Sequence, residues 1–343
     1  MKFLIVGCGS IGRRHASNLL KLKVGEVIVC DTDPARLEEI KKEHGLRGFA
    51  SLEEALREKP EAALICTPTH LHVPAALECL KAGCHLFIEK PVATSLEEAR
   101  RLIPAARNRV VLTACNMRFH PGVIALHQNQ KLLRHPVLYR ARFSHFLPNW
   151  RPETPYQNTQ SAMTEQSGGI ILECIHEIDY LRWLAGPIKG VRALIKYGVH
   201  NQDETLKDIK TADYAVVLVD FQSGATGEIR LDYLQHPKER GCEIVSPGDG
   251  SLYWGSKNKR PEEVVVFHIS KDGLPKPLLP PDDSYDPNDM YINEMRHFVD
   301  CLERRAEPLV GLDEAIETLQ WALEAARYEI PEAKGYVGAS ILK

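Results

Sequence analysis

Apolar positions fall along this chain in two rhythms that change over between residues 120 and 135. In the first stretch, runs that are apolar at nearly every position, Phe3–Val6, Val27–Cys30, Ala63–Cys66, His85–Ile88 and Val110–Ala114, alternate with longer amphipathic segments. Continuous apolar runs suit strands covered on both faces, whereas spacing of three to four residues suits helices with a single apolar stripe. The segments "RRHASNLLKL", "PARLEEIKKEHG", "SLEEALREK", "VPAALECLKAG" and "SLEEARRLIPAAR" are therefore read as helices between the strands. Ser51 and Ser95 each stand three residues before a glutamate, Glu54 and Glu98, as capping boxes require. Gly83 suits a helix end and Pro74 a helix start. Repeated strand–helix units predict a doubly wound parallel sheet.

Beyond about residue 135 the rhythm becomes alternation, in "VLYRARFSHF", "VRALIKYGV", "DYAVVLVDF", "ATGEIRLDYL", "GCEIVSP", "GSLYWG" and "EEVVVFHIS". β-branched, turn-separated runs of this kind predict an open, mainly antiparallel sheet with one covered face. "YINEMRHFVDCLER" and "GLDEAIETLQWALEAARYE" then read as helices. The expected organisation is an α/β unit over residues 1–120 and an α+β unit over 121–343, with C-terminal helices at about 288–330. An open sheet face has to be covered, so a homodimer or homotetramer through the C-terminal sheet is expected.

Bulk properties narrow the function classes. The chain of 343 residues is 44% hydrophobic and 26% charged with a net charge of -3, an ordinary globular composition without the basic footprint of a nucleic-acid binder. The nine cysteines form no Cys-x-x-Cys pair and read as reduced thiols. "MKFLIVGCGS" is too short for a signal peptide, and no apolar run reaches membrane length, so a cytoplasmic protein is expected. The histidines lack metal-ligand spacing, and no metal is expected.

"GCGSIG", Gly7 to Gly12, follows the first strand and opens the first helix, with Asp31 ending the second strand. That context is the dinucleotide fingerprint: Gly7 for the tight turn, Gly9 for close approach to the pyrophosphate, Gly12 for helix packing, and the helix start at Ser10–Ile11 for the phosphate charge. Asp31 suits ribose hydroxyls and repels a 2′-phosphate, and Arg36 is read as the only nearby cation, on the helix surface. NAD is the expected cofactor, with NADP left open.

The stretches "GCGSIGRRH", "CTPTHLHVPAALECLKAGCHLFIEKPVA", "CNMRFHPGV" and "GGIILECIHEIDYLRWLAG", in that order, resemble the Gfo/Idh/MocA oxidoreductases as far as about residue 186. The resemblance implies a Rossmann domain followed by a substrate domain, with Glu89-Lys90-Pro91 as the family's short signature and a cis peptide before Pro91. It implies that Lys90 lies beside the nicotinamide, steadying the alkoxide of a substrate hydroxyl as a preorganised cation would. It also places Thr67, Pro68, His72, Glu89 and Asn116 at the cofactor. His72 could equally be a helix-start residue.

Read as one continuous helix, "SGGIILECIHEIDYLRWLAG" puts Ile171, Cys174, Ile175, Ile178 and Ala185 on one stripe and exposes His176 on another side, near Asp179. A histidine among acids suits proton transfer near neutral pH, and the resemblance makes His176 the acid/base. Many family members carry an aspartate at the position of Leu172; here the nearest acid is Glu173. Candidate substrate contacts are Glu173, Asp179, Arg118 and the loop residues Trp150, Arg151 and Tyr156, with a domain-junction salt bridge an equal reading for Arg118 and an ordinary packed loop an equal reading for the last three.

The expected activity is NAD-dependent hydride transfer at a secondary alcohol or ketone of a sugar or nucleotide sugar. Reduction of a C=N or C=C bond in a non-sugar substrate remains an alternative. So does a non-catalytic dinucleotide-sensing regulator, which would need neither Lys90 nor His176.

Overall fold

The structure is a computed structural model and describes residues 1–159, 161–163, 169–199, 206, 209–256, 265–280, 282 and 284–327. The apolar runs of the first third become β1 (Lys2–Val6), β2 (Glu26–Cys30), β4 (Ala62–Ile65), β5 (His85–Glu89) and β6 (Val111–Ala114), all buried on both faces. A sixth strand, β3 (Arg47–Phe49), escapes the pattern because Arg-Gly-Phe has no apolar run; it pairs at the edge with β2. The parallel order is β3-β2-β1-β4-β5-β6, joined by α1 (Ser10–Leu22), α2 (Pro34–His44), α3 (Leu52–Leu56), α4 (His72–Lys81) and α5 (Leu96–Ala105). α4 starts two residues earlier than Pro74, which lies in its first turn. The Ser51 and Ser95 hydroxyls accept from the backbone N–H of Glu54 and Glu98, each at 3.2 Å, as the capping pattern requires. The strand order reverses between β1 and β4, which opens a crevice at the carboxyl edge there.

After α6 (Pro121–Asn129) the chain builds a second sheet. Its strands are β7 (Leu138–Ser144), β8 (Ile188–Tyr197), β9 (Ala212–Phe221), β10 (Thr226–Asp232), β11 (Glu239–Ser246), β12 (Gly250–Ser256), β13 (Val266–Ile269) and β14 (Pro275–Leu279). The order is β14-β13-β12-β11-β7-β10-β9-β8, antiparallel throughout except for β7 with β10. β14 went unread because two prolines interrupt it, and an edge strand is where prolines cost little. The start of the "EEVVVFHIS" segment and residues 328–330 lie outside the described residues.

Alternation sorts β9 cleanly. Ala215, Val217 and Val219 are buried in the core that includes α7 (Ile170–Glu173), α8 (Ile175–Ala185) and α10 (Leu312–Ala326), while Tyr214, Val216, Leu218 and Asp220 lie on the other face. α9 (Asp289–Leu302) returns to the first sheet, where Met295, Phe298 and Val299 join Phe3, Ile5, Leu19 and Phe87 in one apolar cluster. None of the described helices is long and apolar enough to cross a membrane, and all nine cysteines are free and buried.

Two expectations are corrected here. The helix around His176 is not continuous: it breaks at Cys174 (φ -102, ψ 32), so the wheel drawn across 168–186 fails, and His176 is buried instead of exposed; Gly168 lies outside the described residues. Arg118 and Asp179 form a bidentate pair at 2.9 and 2.8 Å, with the guanidinium also donating to Glu314 at 2.9 Å and to the Leu309 carbonyl at 3.2 Å. Both side chains are buried, Arg118 at 2% and Asp179 at 0% exposure, and they tie the end of β6 to α8 and α10. They are junction residues and do not line the cavity described below. Burial needs both charges, so removing one leaves the other uncompensated. Asp179→Ala is expected to lower the unfolding free energy by about 3–5 kcal/mol, read by urea denaturation.

Candidate active site

The glycine loop is shaped by close approach. Gly7 has φ +98, and its N–H donates to the Cys30 carbonyl at 2.8 Å. A Cβ on Gly12 would lie 1.9 Å from the Gly7 carbonyl oxygen, whereas at Gly9 it would meet nothing within 4 Å. α1 has no side-chain cap at Gly9, so its first N–H groups need an acceptor from outside the helix. An anion there also meets the positive end of the helix dipole.

Asp31 does more than the fingerprint predicts. One carboxylate oxygen accepts from the Cys8 N–H at 2.7 Å and the other from the Asp33 N–H at 2.9 Å, so it braces the glycine loop from β2. Arg36 lies 3.7 Å from it with half of its side chain exposed, and Arg13 lines the same 430 Å³ hollow as Arg36, so Arg36 is not the only cation nearby.

A larger cavity of about 480 Å³ runs along the carboxyl edge from Ser10 and Ile11 past Thr67, His72, Glu89, Lys90 and Asn116. The second sheet and its helices close it with Trp150, Arg151, Glu173, His176 and Arg240, and α9 adds Tyr291 and Glu294. Lys90 precedes a cis peptide to Pro91. Its ammonium donates to the Glu173 carbonyl at 2.8 Å and stands 3.9 Å from the Glu173 carboxylate. The break at Cys174 turns both Glu173 and His176 toward the cavity.

His176 is held neutral. Burial, then the charges of Lys90 and Arg240, push its pKa well below the ordinary value, and its Nδ1 has no partner among the described residues. Arg240 donates from Nε to Glu177 at 2.7 Å and lies over the Phe143 ring at 4.9 Å. Burial alone would raise Glu89, but a 2.7 Å hydrogen bond with His15, and the charges of His15, Lys90 and His72, hold it below the usual carboxylate range. The His72 ring spans the Thr67 and Pro91 carbonyl oxygens at 2.8 and 2.9 Å. It braces the β4 loop against the Lys90–Pro91 turn, and burial lowers its pKa.

The buried Oγ1 of Thr67 and Oδ1 of Asn116 also lack partners among the described residues. Uncapped helix, open Gly9 and orphaned polar atoms together fit a dinucleotide lying from the glycine loop to Lys90.

The comparisons with known proteins agree with this geometry. Residues 1–116 match the GFO_IDH_MocA oxidoreductase family with its NAD-binding Rossmann fold, and residues 133–247 match the GFO/IDH/MocA C-terminal domain. The chain belongs to the Gfo/Idh/MocA oxidoreductases. It is 24% identical over 332 residues to the scyllo-inositol 2-dehydrogenase (NAD(+)) of Bacillus subtilis strain 168, covering 94% of this chain and 92% of that protein. It is 28% identical over 280 residues to the 2,7-anhydro-N-acetylneuraminate hydratase of Escherichia coli K12, covering 79% and 66%. The solved WlbA dehydrogenase from Bordetella pertussis, in complex with NADH and UDP-GlcNAcA, shares the fold at 22% identity and TM-score 0.76, covering 96% of this chain and 99% of that one.

Against this frame of a Gfo/Idh/MocA oxidoreductase, most expected residues converge on the cavity, and some do not. Pro68 is exposed and starts a short turn at Thr69–Leu71. Tyr156 lies behind the loop, with Leu147 and Thr159, and does not face the main cavity. Trp150 is held by its indole N–H donating to the His145 carbonyl at 3.1 Å. Sequence reading missed Arg240, Tyr291 and Glu294, which carry no motif and reach the site only through packing, and it assigned no role to His15, which ends the stretch "GCGSIGRRH" and holds Glu89. Gly12→Ala is expected to cost about 1–3 kcal/mol of stability by overpacking and to abolish NAD binding, measured by calorimetry.

Proposed function

We propose that this protein is an NAD-dependent oxidoreductase acting on a secondary alcohol or ketone of a sugar or cyclic polyol. The carrying observation is that Lys90, Glu173 and His176, from two different sheets' connections, line one cavity continuous with Ser10 and Ile11 at the start of α1. The dinucleotide, when bound, supplies the hydride acceptor or donor at its nicotinamide. His176, neutral and lining the cavity, takes the hydroxyl proton in oxidation and returns it in reduction. Lys90 orients the substrate oxygen and steadies the negative charge that develops on it. Glu173 holds the ammonium in place through its carbonyl. Thr67, Asn116 and the Ser10–Ile11 start of α1 hold the cofactor; Trp150 and Arg151 form the wall nearest the loop.

The B. subtilis relative is named for an inositol and the WlbA complex holds a nucleotide sugar, which supports a polyhydroxylated substrate. The test is absorbance of reduced nicotinamide with NAD against inositols, hexoses and UDP-sugars. Turnover with one of these is expected, and Lys90→Met should lower it about a hundred- to a thousandfold while NAD still binds. Because the His176 pKa is depressed, the base stays neutral through mild acid. At saturating NAD, kcat/KM should stay level from about pH 8 to about pH 6, without a fall near the ordinary histidine value of about 6.5. Unchanged turnover in Lys90→Met overturns the assignment.

The second sheet's open face carries Leu218, 46% exposed, beside Val216 and Tyr214. This supports a homo-oligomer packed through that face. Light scattering should report a dimer or tetramer; a monomer overturns it.

A further inference from the structure

Glu294 sits in the middle of α9, fully buried, and lines the cavity near Asn116 and Tyr291. Neither of its carboxyl oxygens has a hydrogen-bond partner among the described residues. The other two carboxyls lining the cavity are committed: Glu89 to His15, and Glu173 to the Lys90 ammonium. Glu294 is therefore the one lining carboxyl, among the described residues, without a partner.

Its surroundings work against ionisation. Burial comes first, and the charges that act on it are the carboxylates of Glu89 on β5 and Asp179 on α8. The Tyr291 hydroxyl of its own helix and the Cys115 thiol at the end of β6 also feel it, and both are neutral. Arg118 pairs with Asp179, and Arg14 lies over the Tyr291 ring at 4.5 Å. An uncharged Glu294 accords with all of these groups.

The occupant of this cavity changes charge. The nicotinamide ring of NAD is cationic when oxidised and neutral when reduced. Its place in a Rossmann fold is the carboxyl edge on the β4–β6 side, away from the adenosine site at the end of β2. Lys90, Arg14, Arg151 and Arg240 already put positive charge on the walls of this cavity. A further cation needs a compensating anion, because charge in a desolvated pocket is stabilised only by pairing.

We propose that Glu294 is the counter-charge of the oxidised nicotinamide: it holds its proton when the cavity is empty or contains NADH, and releases it to solvent when NAD binds. The balance is one proton lost per oxidised cofactor bound, and one regained when the ring becomes neutral. Glu294 then acts as a positioning group that sets the preference between cofactor redox states, a role beyond substrate chemistry. The inference rests on the cofactor placement of the proposed function.

The test is calorimetric titration of the whole protein with NAD and with NADH, each across about pH 6 to pH 9, where linkage sets the slope of affinity against pH by the protons released. The adenosine and phosphate contacts are common to both ligands, so the ratio of the two affinities isolates the ring. In the native protein that ratio should move toward NAD by about tenfold per pH unit while Glu294 is protonated in the free state. His176 stays neutral over this range. Glu294→Gln, an isostere of the protonated acid, should give a ratio that does not change with pH, with NADH affinity retained.

Titration of native protein with NAD in two buffers of different ionisation enthalpy should show one proton released, and this measurement stands if the variant fails to fold. A pH-independent ratio in native protein, no proton release, or the same slope in Glu294→Gln overturns the proposal while leaving the dinucleotide site intact. Failure of both ligands to bind overturns the cofactor placement and this inference with it.

Discussion

The hydrogen bond from the Lys90 ammonium to the Glu173 carbonyl, 2.8 Å long, joins the end of β5 in one sheet to a short helix packed on the other. Everything in the cavity depends on that meeting. The parallel sheet alone has a glycine loop and a row of strand ends; the second sheet alone has a buried histidine. Only where the two layers touch are a cation and a neutral base set beside a cofactor crevice. The Arg118–Asp179 pair fixes the same juncture from the far side, deep enough that neither charge reaches solvent.

Burial then determines what each ionisable group can do. It drives His176 toward the neutral form, which a proton acceptor needs, and it drives Glu294 toward the protonated form. A buried acid of this kind contributes full stability only below the unfolded carboxyl's range and loses it as pH rises toward its raised folded value. The site thus holds a group that does not favour the empty fold at neutral pH. Glu89 is the contrasting case: also desolvated, it is held below the usual carboxylate range by His15 and by the cations around it. Two glutamates facing one cavity differ because one has a partner and the other has none.

Two of the expected site residues brace the backbone around the cavity. His72 lines the cavity, and its two ring nitrogens lie against the Thr67 carbonyl of the β4 loop and the Pro91 carbonyl of the Lys90 turn. Asp31 likewise spends its oxygens on the loop that holds the glycines. In both cases the residue holds main chain in place, so its identity matters to the site apart from any contact with the occupant.

The sequence by itself determined the parallel sheet, the glycine loop with its acid, the Lys90 turn and the alternating second sheet. These are local patterns: an apolar run of four or five residues, a glycine spacing, a period of two. It could not determine the break at Cys174, because a wheel assumes a straight helix and nothing in "LECIHE" marks the turn. Nor could it separate Arg118 and Asp179 from the site, since a buried junction pair and a substrate pair use the same residue types. Arg240, Tyr291 and Glu294 were invisible for a related reason: they stand on an antiparallel strand and a C-terminal helix with no motif around them, and nothing in "GCGSIGRRH" marks the bond from His15 to Glu89. Their chemistry comes from desolvation and from which charges face them, and those are properties of the packed chain, decided only when α9 folds back onto α1 and β11 closes beside β7.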